Sequence, residues 1–140
     1  MATPITSEEL LPFFGYNGNV GIITAATGAT SIVRTVEAWS VKFDWTTTGF
    51  LNFLMAGNWN LQVLLEQMGP GEFTLPGGTA IEPFVSAPNA YSKTINFVAG
   101  LVPPGLYRVS VIITMKGPSN HPGPITGYAD LGLLEFYDAG

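Results

Sequence analysis

An all-β fold, an antiparallel two-sheet sandwich, is predicted for this 140-residue chain by three features of its sequence. Several segments alternate apolar and polar residues with period two, Gly/Pro clusters separate them, and no helical apolar period outlasts a single turn. The clearest segment follows the Pro103-Pro104-Gly105 turn: Tyr107, Val109, Val111, Ile113 and Met115 fall on one face, and Arg108, Ser110 and Thr114 on the other. Trp39 to Trp45 is of the same quality, with Trp39, Val41, Phe43 and Trp45 inward and Ser40, Lys42 and Asp44 outward.

In chain order, Thr6 to Glu9 fits a capping box and predicts one helical turn over Ser7 to Leu11, ended by Pro12. Leu10, Leu11, Phe13, Phe14 and Tyr16 continue as an apolar arm, so the chain divides into an N-terminal arm, residues 1–17, and a single sandwich domain, residues 18–140. Asn17-Gly18 reads as a turn and Val20 to Ala25 as the first strand. Thr24 to Thr30 is small and loop-like, and Ser31 to Val36 is β-branched. Beyond the Trp39 strand, Phe50 to Met55 and Trp59 to Met68 read as a hairpin joined at Ala56-Gly57-Asn58. In the return strand Trp59, Leu61, Val63 and Leu65 oppose Asn60, Gln62 and Glu66.

Pro83 assigns Ile81 to Val85 to a sheet edge. Tyr91 to Val98 alternates again and leads into the Tyr107 strand. Lys116 to Gly127, rich in Pro and Gly, reads as a loop, and Tyr128 to Tyr137 as a final strand with nothing to protect its edge.

Composition narrows the function classes. Charged residues make up 11% of the chain, where about a quarter is usual, while hydrophobic residues make up 46% and mean hydropathy is +0.31. So few charges cannot cover a surface, and a low-charge, partly apolar surface is the kind that partner subunits cover. The net charge of -5, with basic residues scattered at Arg34, Lys42, Lys93, Arg108 and Lys116, excludes a nucleic-acid footprint. The most apolar window, Gly49 to Leu65, is broken by Asn52, Asn58, Asn60 and Gln62, which argues against a membrane span. With no secretory signal and no cysteine, the default expectation is a soluble cytoplasmic domain.

The spacing Leu101, Pro103, Tyr107, Val109, Val111 resembles the penultimate-strand pattern of fibronectin type III and other immunoglobulin-like domains. The match covers about fifteen residues and carries architecture, not activity. The chain departs from it in lacking both cysteines of true immunoglobulin domains, in placing Gly105 closer to the tyrosine, and in its extra N-terminal arm. The resemblance implies an immunoglobulin-like sandwich in which Trp39 or Trp45 is the core tryptophan and the Tyr107 hydroxyl bonds a backbone group upstream.

Catalytic and metal chemistry find little support. His121 is the single histidine and stands in the loop Ser119-Asn120-His121-Pro122-Gly123, without a nucleophile elbow elsewhere. Asp44, Glu66 and Asp130 are the carboxylates from which a calcium site would be assembled, but their spacing selects no such site. No catalytic, cofactor or metal residue is assigned. The expectation is a non-enzymatic self-assembly or protein-interaction module, a homo-oligomer, whose interface comprises Leu10, Leu11, Phe13 and Phe14 together with Leu64, Val98 and Ile112 on outward registers. The alternative is a ligand-binding sandwich, carbohydrate first, with Trp59 as an exposed platform beside Asn58 and Asn60.

Overall fold

The computed structural model describes residues 3–9, 13–24, 31–69, 73–119 and 121–138. Two sheets pack face to face. The strands are β1 (Thr3–Pro4), β2 (Thr6–Glu9), β3 (Gly15–Thr24), β4 (Ile32–Arg34), β5 (Trp39–Thr48), β6 (Asn58–Gln67), β7 (Thr79–Pro83), β8 (Ala90–Phe97), β9 (Gly105–Lys116) and β10 (Pro122–Tyr137). A short 3-10 helix, η1 (Phe50–Leu54), joins β5 to β6. The smaller sheet has the order β1-β3-β5-β8, and the larger has β2-β10-β9-β6-β7 with β4 also on β10. Every pairing is antiparallel except that of β4 with β10. The all-β sandwich expected from the alternation is therefore the fold.

The alternating segments supply the core. Trp39, Val41, Phe43 and Trp45 of β5 face Trp59, Leu61, Val63 and Leu65 of β6 and Tyr107, Val109, Val111, Ile113 and Met115 of β9, all buried. Aromatic clusters close both ends of this core. At one end Trp39 stacks on Phe97 with centroids 4.3 Å apart and meets Phe136 edge-on. At the other, Trp45 stacks on Tyr91 at 5.1 Å and meets Trp59 edge-on at 5.8 Å, while Trp59 also packs on Tyr16 and Phe84. The open side between edge strands β7 and β8 is bridged by an ion pair, Lys93 Nζ to Glu82 Oε2 at 3.7 Å. A lysine pointing toward the interior of an edge strand also discourages edge-to-edge pairing.

Tyr107 is fully buried, and its hydroxyl donates to the Pro103 carbonyl at 2.9 Å, the upstream backbone bond expected of a corner tyrosine. Burial pushes its pKa above the ordinary value near 10. A group whose pKa is raised by folding contributes stability that is complete below the unfolded value and is lost as pH climbs through the folded one. Tyr107→Phe is accordingly expected to cost about 1–2 kcal/mol at neutral pH, with the Pro103 carbonyl left unpaired. Above about pH 10 the gap between variant and wild type should narrow. Urea titrations at neutral and alkaline pH measure both effects, and a gap that widens with pH contradicts the assignment.

Five local expectations are corrected. Residues 6–9 form strand β2, not the start of a helical turn, and pair with β10 from Thr6↔Tyr128 to Glu9↔Ile125. A capping box satisfies two backbone donors of one isolated turn, whereas a four-residue sheet ladder orders the whole segment. The predicted arm is thus joined to both sheets through β1, β2 and β3 of the same chain.

Asn17-Gly18 lies within β3, not at a turn. Gly18 faces inward, where an added Cβ would meet the Trp45 Cβ at 3.0 Å and the Ile5 Cδ1 at 3.2 Å, so this glycine serves close packing.

The predicted hairpin does not form. Phe50–Leu54 is η1, and it carries the chain from β5 in one sheet to β6 in the other. Asn52 causes this: it is fully buried, and its Nδ2 donates to the carbonyls of Thr48 and Gly49, both at 2.8 Å, closing a tight turn where a strand would have run straight.

The loop expected over Lys116 to Gly127 shortens to a turn, closed by the Gly117 N–H to the His121 carbonyl at 2.9 Å. β10 begins at Pro122, and an irregularity in its pairing between Pro122 and Thr126 accommodates the prolines. The last strand is no open edge, because β10 is flanked by β9 on one side and by β2 and β4 on the other.

Candidate functional site

The outer face of the larger sheet collects the residues that break alternation. Along β9, Leu106, Arg108, Ser110, Ile112, Thr114 and Lys116 point away from the core. The register sets Ile112 between Gln62 of β6 and Tyr128 of β10, and Ser110 between Leu64 and Asp130. Leu64 and Ile112 are therefore diagonal neighbours on one surface. Tyr128, Ile81 and Leu64 are exposed around them, with Tyr128 61% and Ile81 62% accessible. The polar residues interleaved here are mostly uncharged: Asn60 opposite Ile81, Gln62 opposite Thr79, and Thr114 opposite Thr126.

Charges gather toward the far end of the same face. Arg108 Nη1 donates to Asp130 Oδ2 at 2.6 Å, and the Gly132 N–H donates to Asp130 Oδ1 at 2.9 Å. The Gly132 amide first, and then the Arg108 guanidinium, hold the Asp130 carboxyl below its ordinary range. This arrangement stabilises the irregularity between Asp130 and Gly132, where Gly132 takes a positive φ of 86°. The carboxylate serves the bulge.

The other expected interface residues do not join this surface. Val98 is 69% exposed but lies just past β8, at the end of the smaller sheet. Phe14 is buried and belongs to the core. Phe13 is exposed and meets Phe50, the first residue of η1, with ring centroids 5.1 Å apart and planes tilted by 37°. Leu10 and Leu11 lie outside the described residues.

Trp59 is fully buried, which corrects its reading as an exposed platform: the alternation that turns Asn58 and Asn60 outward turns Trp59 into the core. Asn60 borders a shallow depression of about 310 Å³ with Gln62, Thr79 and Thr114. Its Nδ2 is buried without a hydrogen-bond partner.

His121 is exposed at the β9–β10 turn. Among the described residues Asp44, Glu66 and Asp130 do not form part of any group of three or more metal-ligating side chains. No helix among them is long and apolar enough to cross a membrane.

The exposed apolar residues of η1, Phe50, Phe53 and Leu54, fall in a segment that the sequence predicts as a strand. The signal was present in Phe50 to Met55, which is apolar throughout except for Asn52 and so lacks the alternation of a half-buried strand. No protein-family model matches the chain, and no curated protein matches it.

Proposed function

We propose that this chain is an immunoglobulin-like β-sandwich that acts as a non-enzymatic assembly module, self-associating through the outer face of its larger sheet. The immunoglobulin-like reading is supported by the strand order β3-β5-β8 against β6-β9-β10, which corresponds to strands A-B-E and C-F-G of such domains. The corner bond of Tyr107 agrees with it, and the core tryptophan of the strand equivalent to C is Trp59, in place of Trp39 or Trp45, which lie on β5.

The observation that carries the assembly reading is the uncharged band formed by Leu64, Ile81, Ile112 and Tyr128 among Asn, Gln and Thr side chains. The centre of such a face meets its own copy across a two-fold axis without burying a charge, Lys116 and the Arg108–Asp130 pair lying toward its ends. Gel filtration with light scattering over a dilution series is expected to show a homo-oligomer, and Ile112→Lys to weaken it at least tenfold by placing an ammonium group at the centre of the contact. A strictly monomeric wild type sinks the proposal, as does an Ile112→Lys variant of unchanged size.

Ligand binding is the second reading, favoured by the unpartnered Asn60 amide at the 310 Å³ depression. It retains Asn58 and Asn60 and loses Trp59.

A further inference from the structure

Four of the five basic side chains are ion-paired within the chain: Arg34 with Glu37, Lys42 with Asp44, Lys93 with Glu82 and Arg108 with Asp130. Lys116 has no ion pair among the described residues. It stands at one end of the outer face of the larger sheet, opposite Asn58 of β6 and Pro122 of β10. Glu66 of β6 and Glu135 of β10, both exposed on the same face, likewise have no ion pair among the described residues. Register sets Glu66 opposite Arg108, whose guanidinium is turned to Asp130, and sets Glu135 opposite Leu106.

Unpaired charges of opposite sign are therefore held at opposite ends of one strip, β6-β9-β10. The levels of Lys116 and Glu66 lie about 26 Å apart, at about 3.3 Å per strand residue, too far for the two side chains to meet within one chain. Ile112 lies midway between those levels on β9. Glu8 takes the register position beside Thr126, two strands from β9 and outside the strip.

We infer that a second copy docks on this strip antiparallel, its β9 running opposite to the first about a two-fold axis at Ile112, so that Lys116 of each copy pairs with Glu66 of the other. This rests on the self-association proposed above and fixes its geometry. Two faces that meet across a two-fold are related by an axis lying in the plane between them, and the direction of that axis decides which ends meet. An axis along the strands sets Lys116 against Lys116 and each carboxylate against its own copy, and such like-charge contacts disfavour the arrangement. An axis across the strands lays the Lys116 level of one copy over the Glu66 level of the other, twice by symmetry, while Ile112 and Tyr128 meet their own counterparts at the centre. Arg108 shares the Glu66 level, but Asp130 already neutralises its charge. One face carries both members of the pair, so a copy of the same face supplies them in matching order.

Sedimentation equilibrium of the full chain over a dilution series tests the arrangement. Lys116→Glu and Glu66→Lys are each expected to raise the dimer dissociation constant about tenfold, since each turns two attractions into repulsions. The double variant Lys116→Glu/Glu66→Lys restores the pairs with signs exchanged and should return the constant to within about twofold of wild type. Circular dichroism confirms that all three variants fold. Losses that add in the double variant overturn the antiparallel arrangement, as do single variants without effect in a dimer that Ile112→Lys dissociates. Both of those outcomes leave self-association through this face standing, whereas a strictly monomeric wild type overturns the two together.

Discussion

Trp59→Ala is expected to lower the unfolding free energy by about 3–5 kcal/mol, a large part of the roughly 5–15 kcal/mol that holds a domain together. Trp59 is wholly buried and touches Tyr16, Trp45, Phe84 and Tyr91, whose rings come from β3, β5, the segment after β7, and β8. Alanine leaves a void bounded by four rings held by three other strands and a connecting segment, and such a site collapses poorly.

The indole nitrogen sharpens this expectation. Trp59 Nε1 has no hydrogen-bond partner, and neither has Trp45 Nε1. Trp59→Phe therefore removes ring volume without breaking a hydrogen bond, and should cost about 1–2 kcal/mol, well short of the alanine variant. In urea, both variants should shift the midpoint at constant slope. Equal losses for phenylalanine and alanine would show that the indole N–H, not the ring, holds the cluster.

The same residue shows how far the sequence could be read. Alternation told that Trp59 faces inward along with Leu61, Val63 and Leu65, because a half-buried strand permits one register only. For the same reason β5, β8 and β9 were legible, whereas the corner bond of Tyr107 came only from the resemblance to fibronectin type III and immunoglobulin-like domains. What was not legible depended on partners distant in sequence. Gly18 carries a turn signal, yet the close approach of Trp45, 27 residues on, is what requires a glycine there. Thr6 to Glu9 satisfy the local rule for a helix start, but β10 provides a ladder that no local rule contains.

The candidate surface divides along the same line. Leu64 and Ile112 were identified by their registers, and the pairing of β6 with β9 brings them together. Val98 had the same outward register but follows β8 of the other sheet, and sheet membership is a property of topology that periodicity does not encode. The exposed tip at Phe50 and Phe53 was hidden because an apolar run of six residues suits a buried strand as well as a 3-10 turn. Asn52 settles the choice only through its two carbonyl partners.

Gly49→Ala is the second large effect, and here even the sign separates structure from propensity. Gly49 is exposed at the start of η1, where an alanine that fits the backbone would stabilise by about 0.4–1 kcal/mol by restricting the unfolded chain. The backbone does not permit it. Gly49 has φ 92° and ψ 153°, close to a region that only glycine enters readily. An added Cβ would fall 2.0 Å from the Phe13 carbonyl oxygen, which also accepts the Leu51 N–H. Relief requires either moving the Phe13 backbone, which breaks that bond, or rotating Gly49, which withdraws the carbonyl that Asn52 binds. Backbone strain of about 1–3 kcal/mol and overpacking of a similar size together predict a loss of about 3 kcal/mol or more. Urea unfolding measures the loss, and hydrogen exchange at Leu51 and Met55 should rise more than at the β9 amides, because the disturbance begins in η1. A stabilised Gly49→Ala would mean that η1 can relax freely.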